Sequence, residues 1–413
     1  MKIHSYLVLL VCCSLTLSAQ SDLPAMKPIS SRHTPAHVAL QKFMHGVNIA
    51  NYLEVPPSQH WAIPHSVVDL KEIRAQGFDH IRVPVGWQYY AGPAPDFKLS
   101  DDIFARADNI VTNATALGLN VLINMHDFFA LNTNPAACTP EFLAIWRQVA
   151  THYANSAAVA ISGPLNQPRG AGALRLRRLG HRQQQGCIAF ELLNEPRQAA
   201  TTVVLNPIYA EAIREIRQVA PRATIFVGPG RFNSPDELPN LRLPDDNDNI
   251  IVTLHCYDPL FFTHQGADWV ASDYTKVTGI QFPGPPKTPF VLDPKLDLSR
   301  EALHRINQYN TQPTENNPSG PRAFLSKIQR AKAWSDKFGR PIHFGEFGAY
   351  TTADQESRAH YYAAMRQAME AAGFGWASWD WKSGFNYWDT KKQQPLPGMR
   401  EAFFSNAAQR SAP

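Results

Sequence analysis

Residues 188–196 read IAFELLNEP and residues 340–348 read RPIHFGEFG. Each apolar run predicts a short buried β-strand with a carboxylate at or just beyond its carboxyl end, Glu195 in the first and Glu346 in the second. A carboxylate in such a place is unfavourable to bury unless it is used or paired. Two carboxylates that face one cleft can cut a glycosidic bond, because one can protonate the leaving oxygen while the other attacks the sugar carbon. The alternative is that both are structural ion-pair residues.

Short apolar runs of this kind recur along the chain and alternate with amphipathic runs. The predicted strands cover residues 44–49, 80–83, 120–125, 188–193, 224–227, 250–254, 342–345 and 375–379. The predicted helices cover residues 101–117, 140–153, 207–219, 321–338 and 353–372. This alternation predicts an α/β protein, a closed (β/α)8 TIM barrel in a single catalytic domain. The alternative, an open doubly wound sheet, would need a glycine-rich phosphate turn after the first strand, which the sequence lacks.

The composition restricts the partners and the compartment. The chain has 413 residues and a net charge of +4, but residues 163–186 hold five arginines and no acid, so its basic character is local. We therefore expect neither nucleic acid nor a membrane as a partner. Residues 1–19 join Lys2, an apolar run and small residues, which predicts a signal peptide and a protein secreted to the cell exterior or the periplasm. No other stretch is long enough to span a bilayer. The three cysteines beyond the signal peptide exclude a disulfide scaffold.

Two segments interrupt the alternation. Residues 275–320, rich in Pro, Gly, Asn and Thr, follow the sixth strand and predict a long loop that forms a wall of the substrate cleft. Residues 155–186 are of low complexity and predict a surface insert on the opposite face of the barrel. The predicted layout is a signal peptide at 1–19, a linker at 20–40, a catalytic domain at 41–405 that contains the insert, and a tail at 406–413.

Polar residues recur at the carboxyl ends of the predicted strands, which share one face of a barrel. They are Arg82, His126, Asp127, Asn194, Glu195, His255, Tyr257, Glu346 and Trp379. Each has a structural explanation when taken alone, but together they predict an active site. A metal-dependent hydrolase is an alternative, with ligands from His126, Asp127, His255 and Glu346. It leaves Asn194, Glu195 and the tryptophans unexplained.

The motifs RVPV, NMHD, LLNEP, HCY, GEFG and WASWDW together resemble glycoside hydrolase family 5, the retaining (β/α)8 enzymes often called cellulases. The likeness covers residues 43–404 except for the arginine-rich insert. GVNIANYLE, FFTHQGADWV and EFGAYTTADQESR resemble the bacterial endo-β-1,4-glucanases of that family, some of which also cut mannan. The resemblance implies a secreted enzyme that cleaves β-1,4-glucan, of cellulose or mixed-linkage type, through a covalent glycosyl-enzyme. It implies no cofactor and no metal.

The resemblance also implies a role for each site residue. Glu195 would be the general acid/base and Glu346 the nucleophile, with donors Arg82 and Tyr257 that depress the pKa of Glu346. Asn194 would bind the sugar 2-hydroxyl. The remaining implied contacts are His126 and His255 around the cleaved sugar, Trp379 beneath its apolar face, and Asn51 and Glu54 at a neighbouring glucose.

Asp127 departs from the family pattern, because close relatives usually carry a second histidine there. This leaves the preference between glucan and mannan open. A β-mannanase or β-1,3-glucanase is therefore an alternative, and so is a non-catalytic protein that binds polysaccharide in the same groove. We expect a monomer whose partner is a β-glucan polysaccharide or oligosaccharide.

Overall fold

The computed structural model describes residues 26–154, 186–270 and 273–405, and eight parallel strands in these ranges form a closed barrel. Neighbouring strands pair in sequence order, and β8 pairs with β1. The barrel strands are β1 (His45–Asn48), β2 (His80–Val85), β3 (Asn120–Met125), β4 (Ile188–Glu191), β5 (Ile225–Val227), β6 (Ile250–His255), β7 (Ile342–Glu346) and β8 (Gly375–Ser378). A small antiparallel sheet pairs β9 (Trp388–Asp389) with β10 (Gln394–Pro395). The predicted (β/α)8 barrel is confirmed, and the open sheet is excluded.

Helices connect the strands, and the longer ones cover the outside of the barrel. They are α1 (Pro35–Leu40), α2 (Val67–Gln76), α3 (Asp101–Ala116), α4 (Phe129–Thr133), α5 (Pro135–Ala154), α6 (Thr202–Val219), α7 (Gly230–Asn233), α8 (Leu260–Thr263), α9 (Arg300–Thr311), α10 (Arg322–Phe338), α11 (Gln355–Ala371) and α12 (Met399–Phe404). Helix α1 lies at the amino end of the barrel, whereas the short α4, α7 and α8 lie at its carboxyl end. Single 3-10 turns cover Trp87–Tyr90, Pro235–Asn240, Asp273–Lys276 and Thr314–Asn316. Among the described helices, none combines the length and the apolar character that crossing a bilayer would require.

The interior of the barrel is apolar at the amino ends of the strands and polar at their carboxyl ends. Phe43 and the helix α1 close the amino end by packing against Leu122, Ala189, Phe226 and Ile251. Above this layer, His80 and His343 meet with their Nε2 atoms 3.1 Å apart. The next layer holds Arg82 and Glu191, each fully buried. The closed floor leaves the carboxyl end as the open mouth of the barrel.

Residues 275–320 are more ordered than the predicted loop. They contain helix α9, which begins after Ser299, whose side chain accepts a hydrogen bond from the Ala302 backbone. The segment before α9 is joined to the loop after β6, because the Gln265 side chain bonds both the N–H and the C=O of Ile280. Residues 275–320 therefore pack behind the loop that follows β6.

The insert prediction needs a correction at its end. Gly186 is buried, and its N–H donates to the Thr115 carbonyl at 3.0 Å. A Cβ on Gly186 would lie 1.8 Å from the Leu119 carbonyl oxygen, so the residue belongs to the packed start of β4. The rest of the insert, the signal peptide, linker residues 20–25 and the tail at 406–413 lie outside the described residues.

Candidate active site

The two carboxylates predicted from the sequence meet at the mouth of the barrel. Glu346 is the last residue of β7, and Glu195 lies four residues beyond the end of β4. One carboxylate oxygen from each glutamate and one ring nitrogen of His255 all lie within 4.8 Å of one another. His255 Nδ1 is 2.9 Å from Glu195 Oε1 and 3.6 Å from Glu346 Oε2. The barrel thus brings residues from β4, β6 and β7 into one cluster.

Glu346 is buried and held at both oxygens. Arg82 Nη1 donates to Oε1 at 2.7 Å, and the Tyr257 hydroxyl donates to Oε2 at 2.8 Å. Burial raises the pKa of Glu346 above its usual value, and the nearby His255 and Arg82 pull it back. The sequence had implied a depressed pKa for this carboxyl. The donors are in place, but the loss of solvent around Glu346 outweighs them.

Glu191 is a site residue that the sequence interpretation missed. Its two oxygens accept from Arg82 Nε at 2.7 Å and from Nη2 at 3.0 Å. Arg82 also donates to Asn48 Oδ1 at 2.9 Å and to Asn194 Oδ1 at 2.8 Å. One buried guanidinium therefore orients the neighbours of Glu346 and Glu195. The sequence did indicate a role for Glu191, because a glutamate within the apolar run IAFE needs a buried cation as its partner.

A hydrogen bond fixes the backbone of Glu195, and its side chain has fewer partners than the side chain of Glu346. Its φ is +43°, and its N–H donates to Asn233 Oδ1 at 2.5 Å. Burial, and then the negative charge of Asp127, raise the pKa of Glu195 to about 8. Arg197 and Arg82 oppose this shift. Glu195 therefore holds a proton at neutral pH, which a general acid must do.

The histidines of the site are neutral. Burial lowers the pKa of His126 to about 3 and that of His255 to about 4. His126 Nδ1 lies 3.2 Å from Asn124 Oδ1, and its Nε2 lies 3.5 Å from Asn194 Nδ2. The His126 ring stacks with Trp379, with centroids 5.7 Å apart and planes 13° apart. The polar atoms and the ring of Trp379 together form a surface at the barrel mouth.

The match to a known family decides the identity of this barrel. The family model described as Cellulase (glycosyl hydrolase family 5) matches residues 48–175 and 181–384. The chain belongs to glycosyl hydrolase family 5. The resemblance seen in the sequence is thus confirmed, and the chain is a glycoside hydrolase.

Relatives within family 5 are bacterial endoglucanases. Endoglucanase 3 of Fibrobacter succinogenes is 26% identical over 370 residues, which cover 84% of this chain and 51% of that protein. The chain thus spans about half the length of this relative. Endoglucanase C of Acetivibrio thermocellus is 25% identical over 353 residues, covering 82% and 91% of the two chains. The crystal structure of endoglucanase Cel5A from Thermotoga maritima superposes with a TM-score of 0.71 at 28% identity, covering 90% of this chain and all of that one.

The predicted glucose contacts Asn51 and Glu54 lie in the loop after β1 of the family 5 barrel. The Glu54 carboxylate accepts hydrogen bonds from the backbone N–H groups of Asn51 and Tyr52. Burial raises the pKa of Glu54 to about 7. Glu54 therefore closes its own loop, and its contact with a sugar stays a prediction.

A cavity of about 740 Å³ extends from Glu195 toward the loops after β3, β4, β5 and β6. Its lining includes Asp127, Arg197, Phe232, Tyr257 and Trp269. This wall comes from the loop that directly follows β6, and the predicted wall at 275–320 packs behind it. Asp127 Oδ1 lies 3.2 Å from Arg197 Nη1, so the residue that departs from the family pattern is part of an ion pair.

A metal site was the alternative use of these residues. Glu195, His255 and Glu346 have the spacing of a ligand set. However, Glu346 already accepts from Arg82 and Tyr257, and Asp127 is paired with Arg197. A divalent cation at Glu346 would lie beside the Arg82 guanidinium. The donor set therefore does not fit a metal ion.

Proposed function

We propose that the chain is a retaining endo-β-1,4-glucanase in which Glu346 is the nucleophile and Glu195 the general acid/base. The observation that carries this proposal is the spacing of the pair, because one oxygen of Glu195 and one oxygen of Glu346 lie within 4.8 Å of each other. Retaining glycosidases place their carboxyl groups about 5–5.5 Å apart, whereas inverting enzymes leave about 6.5–9.5 Å for a water molecule. The spacing supports direct attack by a carboxylate.

The electrostatic difference between the two glutamates supports the assignment of roles. Glu346 is next to the Arg82 cation, which favours the charged carboxylate that a nucleophile needs. Glu195 has a pKa raised to about 8 and can donate its proton to the leaving oxygen. In the first step Glu346 bonds to the anomeric carbon while the glycosidic bond breaks. In the second step Glu195 removes a proton from the water that cleaves the ester.

Neighbouring side chains fit the sugar in this scheme. Asn194 is oriented by Arg82 and can bond the 2-hydroxyl, a contact that strengthens in the transition state. Trp379 offers an aromatic face for the apolar side of the sugar, and the stack with His126 fixes its ring.

The stereochemistry of the first product tests the mechanism. The wild type should release the β-anomer first from a β-cello-oligosaccharide, as followed by proton NMR. Glu346→Ala should lose turnover and regain part of it with azide, forming an α-glycosyl azide from an activated aryl cellobioside. Release of the α-anomer first by the wild type would show inversion and remove Glu346 as nucleophile.

Mannan is the second candidate substrate. The Thermotoga maritima relative, 27% identical in that comparison, has been crystallised with mannotriose as well as with cellobiose. The ratio of kcat/KM on cellotetraose and mannotetraose decides between the two. We propose glucan as the preferred substrate because the relatives are named endoglucanases.

We also propose that the protein is secreted after loss of residues 1–19 and acts as a monomer. The sequence pattern of the first residues supports secretion. A mature protein that begins at Gln20 in the culture medium or periplasm is the expected result of N-terminal sequencing. Sedimentation at micromolar concentration should give the mass of one chain.

A further inference from the structure

At the edge of the cavity, two phenyl rings contact the Arg197 guanidinium, an arrangement termed the clamp. Its guanidinium carbon lies 5.0 Å from the centre of the Phe129 ring and 5.5 Å from that of Phe232. Both phenyl rings are about half exposed, at 53% and 52%. The Arg197 backbone N–H donates to the buried Asn132 side chain at 3.0 Å. Rings from the loops after β3 and β5 therefore hold a cation that comes from the loop after β4.

The clamp leaves one part of the guanidinium available. Nη1 donates to the Glu195 carbonyl oxygen at 3.0 Å and pairs with Asp127 Oδ1 at 3.2 Å. A guanidinium carries five N–H donors, so the Nε and Nη2 groups retain three. Within residues 26–154, 186–270 and 273–405 these three have no hydrogen-bond partner. The side chain is 20% exposed and lines the cavity, so this edge is where a ligand can reach the cation.

The position of the cavity identifies which half of the substrate would meet Arg197. The cavity lies on the side of Glu195 formed by the loops after β3 to β6. Trp379 and Glu54, which are predicted sugar contacts, follow β8 and β1 on the other side of the mouth. Because the general acid protonates the departing oxygen, the sugar beyond Glu195 is the leaving group.

We propose that Arg197 is a specificity-determining residue for the leaving sugar, donating from its free edge to hydroxyl groups of that sugar. The proposal rests on the function proposed above. Held by two rings and Asp127, the guanidinium loses little side-chain freedom on binding, so its hydrogen bonds are preorganised. Hydrogen bonds from a charged donor are also stronger than neutral ones.

The neighbouring Asp127 favours a neutral sugar over an acidic one. Its carboxylate lines the same cavity beside Arg197, so an acidic substituent placed against the guanidinium edge would meet a negative charge. Sugar hydroxyls both donate and accept, and can therefore use Arg197 as donor and Asp127 as acceptor. The pair suits a leaving chain without acidic substituents.

Three substrates with the same cellobiosyl group separate the possible roles of Arg197. Cellotetraose cleaved at its middle bond has a leaving sugar with hydroxyls and needs the acid. Phenyl β-cellobioside needs the acid but offers no hydroxyls, and 2,4-dinitrophenyl β-cellobioside needs neither. Arg197→Lys should lower kcat/KM on cellotetraose at least about ten-fold and leave both aryl cellobiosides close to wild type.

Other outcomes overturn the proposal. An equal loss on cellotetraose and the phenyl substrate would show that Arg197 acts through Glu195, and an equal loss on all three would show a structural role. The matched control is Arg147→Lys, which alters an exposed Arg–Glu pair between α5 and α6 and should change none of the values. If the wild type cleaves none of the three substrates, the proposed function itself fails, whatever Arg197 does. Arg197→Ala, with a melting curve to confirm folding, should lower cellotetraose cleavage at least as far.

Discussion

At the scale of single residues, the site works by giving two glutamates different neighbours. Arg82 forms a side-chain ion pair with Glu346, whereas in the loop that holds Glu195 it donates a hydrogen bond to Asn194. Asp127 adds a negative charge on the Glu195 side. The same side chain therefore occurs in two electrostatic settings in one cleft, as the proposed acid/base and nucleophile require.

We expect the charge of Asp127, together with burial, to place the alkaline limb of activity. Burial and Asp127 raise the pKa of Glu195 to about 8. Because an anion nearby disfavours loss of the proton, Asp127→Asn should lower this pKa and move the alkaline limb of kcat/KM to lower pH. The measurement is a pH profile on phenyl β-cellobioside. Asp236→Asn, which changes a carboxylate elsewhere in the cavity lining, should leave the limb in place. An alkaline limb that stays at the same pH or moves to higher pH in Asp127→Asn contradicts the effect assigned to Asp127 on the pKa of Glu195.

The raised pKa of Glu195 also has a stability consequence. Its model-peptide pKa is 4.5 and its folded value is about 8, so the folded protein binds more protons than the unfolded chain between these values. Stability from this group is therefore present below pH 4.5 and is lost as pH rises toward 8. Glu195→Gln removes the ionisation, so its melting temperature relative to wild type should increase from pH 5 to pH 8. A difference that does not change with pH would show that Glu195 is not held protonated.

Sequence reasoning identified the residues at the strand ends better than those inside the barrel. Glu195 and Glu346 stand out because they follow apolar runs. Glu191 was read as part of a strand, because the pairing that makes its burial possible joins residues 109 positions apart. The clamp around Arg197 depends on loops from three strands, and no local pattern indicates it.

At the scale of elements, the turn after β5 positions Glu195, the proposed acid/base. Arg231, Phe232 and Asn233 all have positive φ, between 50° and 62°. This left-handed run brings Asn233 Oδ1 to the backbone N–H of Glu195. The strand positions could be predicted from the sequence because short apolar runs that alternate with amphipathic helices form buried strands. Such a run of left-handed residues could not be predicted, because non-glycine residues adopt it only when tertiary contacts impose it.

Substitutions at Asn233 separate the turn conformation from the hydrogen bond. Asn233→Gly removes the acceptor but tolerates positive φ, whereas Asn233→Ala also strains the backbone by about 1–2 kcal/mol. Both should lower kcat/KM on phenyl β-cellobioside more than on the dinitrophenyl substrate, and the alanine variant should melt at the lower temperature. Equal loss on both substrates would mean that the turn supports more than the acid/base.

Helices illustrate where local signals fail. Helix α2 was not predicted because few apolar residues mark its buried face, Leu70 and Ile73 among them. Its start is fixed instead by a capping box between Ser66 and Asp69 and its end by Gly77 at φ 111°. Helix α9 was hidden in a segment whose composition indicates a loop. Both helices carry local capping signals at their starts, Ser66 with Asp69 for α2 and Ser299 for α9, which apolar periodicity alone does not detect.

At the scale of the whole molecule, the two ends of the barrel differ in the residues that they carry. Glu195 and Glu346 lie at the carboxyl ends of the strands, whereas Ala154 ends α5 and Gly186 precedes the amino end of β4. The fold could be predicted from the periodicity of apolar residues along the chain. The site could be predicted only from the polar motifs at the carboxyl ends of the strands.

Deleting residues 163–185 should therefore leave kcat/KM unchanged, provided that Gly186 is kept. Gly186→Ala should instead destabilise the fold by about 1–3 kcal/mol, since the added Cβ would meet the Leu119 carbonyl oxygen at 1.8 Å. Gly92→Ala is the matched control, with its nearest atom 3.3 Å away. Urea unfolding and initial rates measure the two effects. A deletion variant that folds but loses activity would place this connection near the cleft.

The single cation shared by Glu191 and Glu346 has a further consequence for the reaction cycle. In the proposed mechanism, Arg82 faces two carboxylates before reaction while Glu195 is protonated, so this group of four carries one net negative charge. In the proposed glycosyl-enzyme, Glu346 would be a neutral ester and Glu195 would have given up its proton, so the group would again carry one net negative charge. The net negative charge moves a few ångströms between Glu346 and Glu195, and its magnitude stays the same. The surrounding dipoles can therefore stay fixed through both steps, and the solvent outside the barrel has little to rearrange.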